Sequence, residues 1–194
     1  ALEHSEGLSG QELAVVRDEV DRMQQMLQTF LDFARPPKLA RRRVRLDEIA
    51  RQISELTTPR AQRLDVAIRV DAPTAVEIDA DPQQLKQVLL NLVINAIDAQ
   101  PAGGQIDVTV HCEGDSAVVD VADRGPGIAN EVAERLFEPF VSTKETGVGL
   151  GLAVSQRIAA SHGGRILADD RPGGGALFRV ELPRRIAAPF VTAG

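Results

Sequence analysis

Cysteine is almost missing from this chain. Its one thiol, Cys112, can close no internal disulfide and can supply no zinc cluster, which suits a reducing compartment. On a strand it is expected to be a small buried hydrophobe rather than a reactive nucleophile. An excess of positive charge is missing too. With 22 basic against 28 acidic residues the formal charge is −6, a field that repels polyanions, so nucleic acid is not an expected partner. No apolar run approaches the roughly 20 residues needed to cross a bilayer, and no signal-peptide pattern opens the sequence. We therefore expect a cytoplasmic location and no membrane contact by these residues. The sequence starts at Ala1 without a methionine, from which a piece of a longer protein is expected, whose membrane anchoring is left open.

What is present is enough apolar material for one compact domain with an appendage: 43% of 194 residues are hydrophobic. Leu13, Val16, Val20, Met23, Leu27, Phe30 and Ala34 follow one another in alternating steps of three and four, the seam of a coiled coil or bundle. Pro36-Pro37 should stop that helix. Residues 38–45 (KLARRRVR) read as a solvated basic linker, since no aromatic side chain is interleaved for base stacking. Helical spacing returns over residues 46–56, and residues 64–70 alternate like a half-buried strand. Asp81-Pro82 reads as an N-cap and first-turn proline opening a long helix to Gln100. Two strands follow over 105–113 and 117–122, joined by a turn at Gly114-Asp115. A helix over 150–161 closes at Gly163-Gly164, and strands over 165–168 and 176–182 finish the pattern. The order predicts an α/β fold, a two-layer sandwich of a mixed sheet with helices on one face, preceded by a long helix.

Three stretches carry candidate chemistry. Gln87, Asn91, Asn95 and Asp98 project from one side of an otherwise apolar helix, where a surface amide stripe is the plain alternative to a role in binding. Amide oxygens are hard ligands suited to magnesium that already carries phosphate oxygens. At Asp123-Arg124-Gly125-Pro126-Gly127-Ile128 a strand runs into a turn whose glycines let backbone approach a flat ligand, and whose carboxylate can accept from an exocyclic amine. Lys144-Glu145-Thr146-Gly147-Val148-Gly149-Leu150-Gly151 places a cation and alternating glycines before a helix N-terminus, a phosphate cradle that is neither a P-loop nor a dinucleotide fingerprint. Each alone is also what an ordinary turn or hinge looks like.

Together, in this order and with Phe137-Glu138-Pro139-Phe140 between the last two, they resemble the catalytic ATP-binding domain of bacterial sensor histidine kinases, within the gyrase, Hsp90, histidine-kinase and MutL superfamily. In that family's terms QVLLNLVINAIDA looks like the N box and DRGPGI the first glycine box. LFEPFVSTK looks like the F box, GVGLGLAVSQRI the second glycine box, and Gly173 to Phe178 the terminal glycine motif. The FARPP and FEPFVSTKETGVGLGL stretches look closest to the nitrogen-regulation-like branch. The resemblance implies a Bergerat ATP-binding fold over residues 46–185, after a partial dimerisation and phosphotransfer helix at 1–37 and the linker, with a tail at 186–194. It implies ATP and magnesium as ligands. Asn95, with Asn91 beside it, would hold magnesium; Asp123 would take the adenine amine and Ile128 line the adenine wall. Gly125 and Gly127 would permit close approach, and Asp98 would belong to the same site. Thr143, Lys144, Gly147, Val148, Gly149, Leu150 and Gly151 would line the triphosphate under a mobile lid. Ala176 departs from the threonine common after the last glycine, which puts a side-chain contact there in doubt.

The resemblance also implies a reaction. Hydrolytic relatives place a glutamate one helical turn before the magnesium asparagine, and here that position is Asn91, which has no useful basicity. Transfer of the γ-phosphate to a histidine of the dimerisation domain is therefore expected, for onward passage to a response-regulator aspartate in a two-component phosphorelay, with positioning and charge neutralisation supplying the rate. A homodimer is expected of the full-length protein. No catalytic residue is assigned, because no credible acceptor is present: His4 lacks the acidic and Asn-Pro residues that follow the acceptor in the family, and His111 and His162 read as structural or capping residues. The fragment alone should not phosphorylate itself. An inactive ATP-binding and dimerisation module, or a superfamily ATPase, are the alternatives.

Overall fold

The computed structural model describes residues 38–100, 103–142 and 149–184, together with Leu13, Arg17, Val20, Met23, Gln24, Leu27, Phe30 and Leu31. By its internal contacts the chain divides into two units, residues 1–37 and 38–194. In the first, the eight described residues are helical. Five of them belong to the apolar seam, and these are 45–62% exposed, so the seam has no cover among the described residues. Val16, Ala34 and His4 lie outside the described residues.

The second unit opens with β1 (Arg42–Arg45), α1 (Leu46–Arg63), β2 (Val66–Asp71) and β3 (Glu77–Ala80). The expectation of a solvated linker fails here. Residues 42–45 pair antiparallel with β3, with Val44 opposite Ile78, in a two-stranded sheet. A four-residue strand rich in arginine carries too little alternation to be seen, and its partner is remote in sequence. Asp47 anchors the corner. Its buried carboxylate accepts from the Val76 amide at 3.0 Å, from Arg45 Nε and Nη2 at 3.0 and 2.7 Å, and from Arg51 Nη1 at 2.8 Å. The Arg45 guanidinium, with help from the Val76 amide and Arg51, holds that carboxyl far below the usual carboxylate range. Helix α1 also runs past the expected end, through Pro59. The Thr57 and Thr58 hydroxyls donate back to the Ile53 and Ser54 carbonyls, at 2.8 and 2.7 Å, and Ala61 is buried beyond the proline.

Helix α2 (Pro82–Ala99) is followed by β4 (Gly104–Glu113), β5 (Ser116–Ala122), the short α3 (Asn130–Ala133), α4 (Gly151–Ser161), β6 (Arg165–Asp170) and β7 (Ala176–Pro183). The main sheet has the order β2-β4-β5-β7-β6, with β2 and β4 parallel and the other pairs antiparallel, which makes it mixed as expected. Alternate residues such as Ile106, Val108, Val110, Phe178, Val180 and Leu182 are buried, and α1, α2 and α4 pack on these strands. The intervening positions are polar and tied across strands: Arg179 grips Asp120 with Nε at 2.8 Å and Nη2 at 3.0 Å. Cys112 departs from its expected burial. It keeps the inward phase of β4 but sits beside the Gly114 turn, where it is exposed.

One buried node joins the connector to both site helices. Asp81 caps α2 through Oδ1, which accepts from the Gln83 and Gln84 amides, while Oδ2 accepts from the Ala40 amide at 2.8 Å. The Asp81 amide donates to His162 Nε2 at 3.0 Å, and His162 Nδ1 donates to the Ile158 carbonyl of α4 at 2.8 Å. Accepting at one nitrogen and donating at the other requires neutral imidazole. Burial pushes the His162 pKa below its ordinary 6.5. The unfolded chain therefore binds a proton that the folded chain refuses, and stability falls as pH drops through about 6.5. Urea unfolding should show lower stability at pH 5.5 than at pH 7.5, with this group's part of the difference absent in His162→Gln. An unchanged pH slope in the variant would contradict the assignment.

Candidate functional site

The site grows from three chain segments that the sheet brings to one end. Helix α2 supplies Asn91 and Asn95, the N-terminus of α4 supplies Gly151, and the turn after β5 supplies Asp123 to Ile128. Both helices are anchored at the Asp81 node, but their N-termini differ. The first turn of α2 is capped by a carboxylate, whereas α4 begins at Leu150 with no side-chain cap. An open helix N-terminus offers unsatisfied N–H groups and a positive dipole end to an anion. Leu150 itself is 1% exposed, so its side chain is packed beneath this helix end.

Asp123 is 2% exposed and its carboxylate is divided in function. Oδ1 accepts from the Gly125 amide at 2.8 Å and from the Ala176 amide at 3.1 Å. Oδ2 has no partner among the described residues. The residue's own backbone is held by β7, its amide donating to the Ala176 carbonyl at 2.9 Å. Ala176 therefore contributes through its main chain, and the missing threonine hydroxyl takes nothing from this arrangement. A buried acceptor in fixed orientation, with one oxygen left over, selects a ligand that brings its own N–H.

Glycines set the distances. A methyl group on Gly125 would lie 2.7 Å from the Ala99 carbonyl, so the turn packs directly on the end of α2. Gly127 has a φ of +84°, and the following Ile128 amide donates to Asp170 Oδ1 at 3.0 Å. Gly149 has a φ of +70° and its carbonyl accepts from the Phe140 amide at 2.9 Å, which pins the base of the loop that precedes α4. Thr143, Lys144, Gly147 and Val148 lie outside the described residues.

On α2, the Asn91 Nδ2 donates to the Gly151 carbonyl and to Ser155 Oγ, both at 3.2 Å. Its Oδ1 has no partner among the described residues. Asp98, expected in the same site, forms an ion pair with Arg60 of α1 at 2.8 Å. Among the described residues no group of three His, Cys, Asp or Glu side chains is placed to hold a metal. A cation here would be held by amide oxygen together with oxygens of its own ligand, which fits magnesium on a nucleotide.

Sequence reasoning misses several residues that build this place. Asp170 orients the Ile128 turn; Arg171 donates from Nη1 to the Asp123 carbonyl at 3.2 Å and from Nη2 to Asp107 Oδ2 at 3.1 Å; Ser155 sits behind Asn91. Gly175 reads as part of a motif but not as a support. Only the Gly173 to Gly175 run gives any signal, because the others are single polar residues on strands and helices.

Residues 80–186 match the family described as histidine kinase-, DNA gyrase B- and HSP90-like ATPase. The chain is 40% identical over 181 residues to the sensor histidine kinase ZraS of Klebsiella oxytoca, an alignment covering 92% of this chain and 39% of that protein. It thus spans about two fifths of the length of this curated relative. Full-length ShkA, solved in complex with AMPPNP, superposes with a TM-score of 0.80 at 33% identity, over 95% of this chain and 41% of that one. Histidine kinase ThkA, solved in complex with response regulator protein TrrA, gives 0.76 at 28% identity, over 94% and 53%.

Gly175 tests the construction of the site. It has a φ of +100°, and a methyl group there would lie 2.1 Å from the Asp123 carbonyl, whereas one on Gly174, with a φ of +103°, would meet nothing within 4 Å. Gly174→Ala should cost about 1 kcal/mol of backbone strain and Gly175→Ala about 3 kcal/mol or more in thermal unfolding. Equal costs would contradict the packing.

Proposed function

Since the chain belongs to the histidine kinase-, DNA gyrase B- and HSP90-like ATPase family, as an ATP-binding catalytic domain of the sensor histidine kinase type, we propose that it binds ATP with magnesium and donates the γ-phosphate to a histidine of a dimerisation domain. The observation that carries the reading is Asp123. Its Oδ1 is locked by two main-chain amides and its Oδ2 is left over as a fixed acceptor on a residue that is only 2% exposed. That oxygen is suited to the exocyclic amine of adenine. Gly125 and Gly127 keep the turn thin beside the base, and Ile128, held through its amide by Asp170, supplies apolar surface to the ring.

The phosphates are assigned to the uncapped N-terminus of α4, with Gly149 and Gly151 keeping that approach free of side chains and Thr143, Lys144, Gly147 and Val148 assigned to line the triphosphate. Asn95 and Asn91 are the ligands assigned to magnesium, which when bound neutralises phosphate charge and orients the transferred group. Asn91 offers a carbonyl oxygen but no base. Its amide nitrogen is committed to Gly151 and Ser155, so it takes no proton from water. ATP is thereby kept for transfer rather than hydrolysis.

The acceptor histidine is assigned to a segment other than the described one. Neither described histidine is suited to receive phosphate, since His162 is neutral and engaged at both nitrogens and His111 is bonded to Glu113 at 2.8 Å. The exposed seam of the N-terminal unit supports dimerisation in the full-length protein, with residues 46–185 as its catalytic part. The ThkA–TrrA complex supports a response regulator as the downstream partner.

Titration calorimetry should show ATP binding that strengthens with magnesium. Asp123→Asn keeps the Oδ1 acceptor but turns an N–H toward the base, so affinity should fall at least tenfold, about 1.4 kcal/mol, with the fold retained. Asn95→Ala should lose the magnesium enhancement. Labelled phosphate should pass to a separately supplied acceptor fragment and none to this chain alone. Absence of nucleotide binding, or label on His4, would overturn the proposal.

A further inference from the structure

A carboxamide has nearly the same shape either way round, so what surrounds Asn91 decides whether oxygen or nitrogen faces a ligand. Two neighbours decide it. The Gly151 carbonyl has no proton to give. Ser155 Oγ has one, but it is donated to that same Gly151 carbonyl at 2.9 Å. Toward Asn91, Ser155 can therefore only accept. Both 3.2 Å contacts demand the NH2 end of the amide, which leaves Oδ1 outside both bonds. Ser155 is 0% exposed, so no bulk water competes for its hydroxyl.

We propose that Ser155 is a positioning residue for the divalent cation that accompanies the nucleotide: by accepting from Asn91 Nδ2 it fixes Oδ1 as the face presented to the metal. The inference rests on the nucleotide reading above. Its second consequence concerns register. Asn91 and Ser155 meet on one carbonyl, that of Gly151, the first residue of the uncapped helix. The amide that would face the cation and the helix end that would face the phosphates are thus set by the same atom. A methyl group at Gly151 would have the Asn91 carboxamide as its nearest neighbour, at 3.7 Å, so contact between these two helices is close but unstrained.

Removing the hydroxyl should leave the fold and the base pocket intact while releasing the carboxamide to rotate. ATP affinity is measured by calorimetry for the unmodified chain, Ser155→Ala, Asn91→Ala and the double variant, each with saturating magnesium and with EDTA. For Ser155→Ala the EDTA value should match the unmodified chain, and the enhancement by magnesium should fall about three- to tenfold, the range for loss of one orienting hydrogen bond. In the Asn91→Ala background, Ser155→Ala should change nothing further, because its effect passes through Asn91. Unchanged enhancement, an equal loss with and without magnesium, or an additive effect in the double variant would each overturn the role of Ser155. No ATP binding by the unmodified chain would instead remove the nucleotide reading itself.

Discussion

The geometry of this unit depends on a buried aspartate that is bonded in three directions. Asp81 caps α2, receives the Ala40 amide of the connecting segment, and through its own amide engages His162 at the end of α4. Losing the carboxylate would strand three donors, of which the Gln84 amide is buried, so the contact is costly to break and the two helices have little freedom to slide. Arg41 adds a tie to the Ser161 carbonyl at 2.6 Å, from the same connector to the same end of α4. Everything further along these helices, including Asn91 and Gly151, inherits its spacing from this node.

At the ligand end a second carboxylate works differently. Asp123 is held by backbone alone, from the turn on one side and β7 on the other, and its side chain forms no ion pair among the described residues. A salt bridge would occupy the oxygen that the proposed function assigns to the adenine amine. Asn91 follows the same logic, with one end of the amide tied to α4 and the other left over. Arg171 completes the support by gripping the Asp123 carbonyl rather than the carboxylate. Asp123 and Asn91 are therefore each half satisfied by the fold and half reserved, which is how a preorganised site avoids both collapse and disorder.

Most of the architecture is legible in the sequence because its signals are local. The Asp81-Pro82 opening, the steps of three and four along α2, the alternation of β4, β5 and β7, and the glycines after α4 each report a backbone geometry that the residue types require. The β1 and β3 pair escapes because two short strands, one crowded with arginine, are stabilised by pairing and by Asp47 rather than by pattern. The end of α1 is expected too early because apolar helical spacing is read only to Leu56, whereas the helix continues through Pro59 with threonine back-bonds and the burial of Ala61. At the site, Asn91, Asp123 and the glycines stand out through composition and motif. Ser155, Asp170 and Arg171 do not, since their value lies in partners 42 to 64 residues away.

Selection of adenine is assigned to a single reserved oxygen, Asp123 Oδ2. Competition of ATP against inosine triphosphate, with equal magnesium, probes that contact, because the two nucleotides share ribose and phosphates, the exocyclic amine of one is a carbonyl in the other, and N1 changes with it from an acceptor to an N–H donor. Two acceptors facing each other in a buried pocket should weaken the inosine nucleotide by at least about tenfold. Equal affinity for the two would show that Asp123 does not read the base.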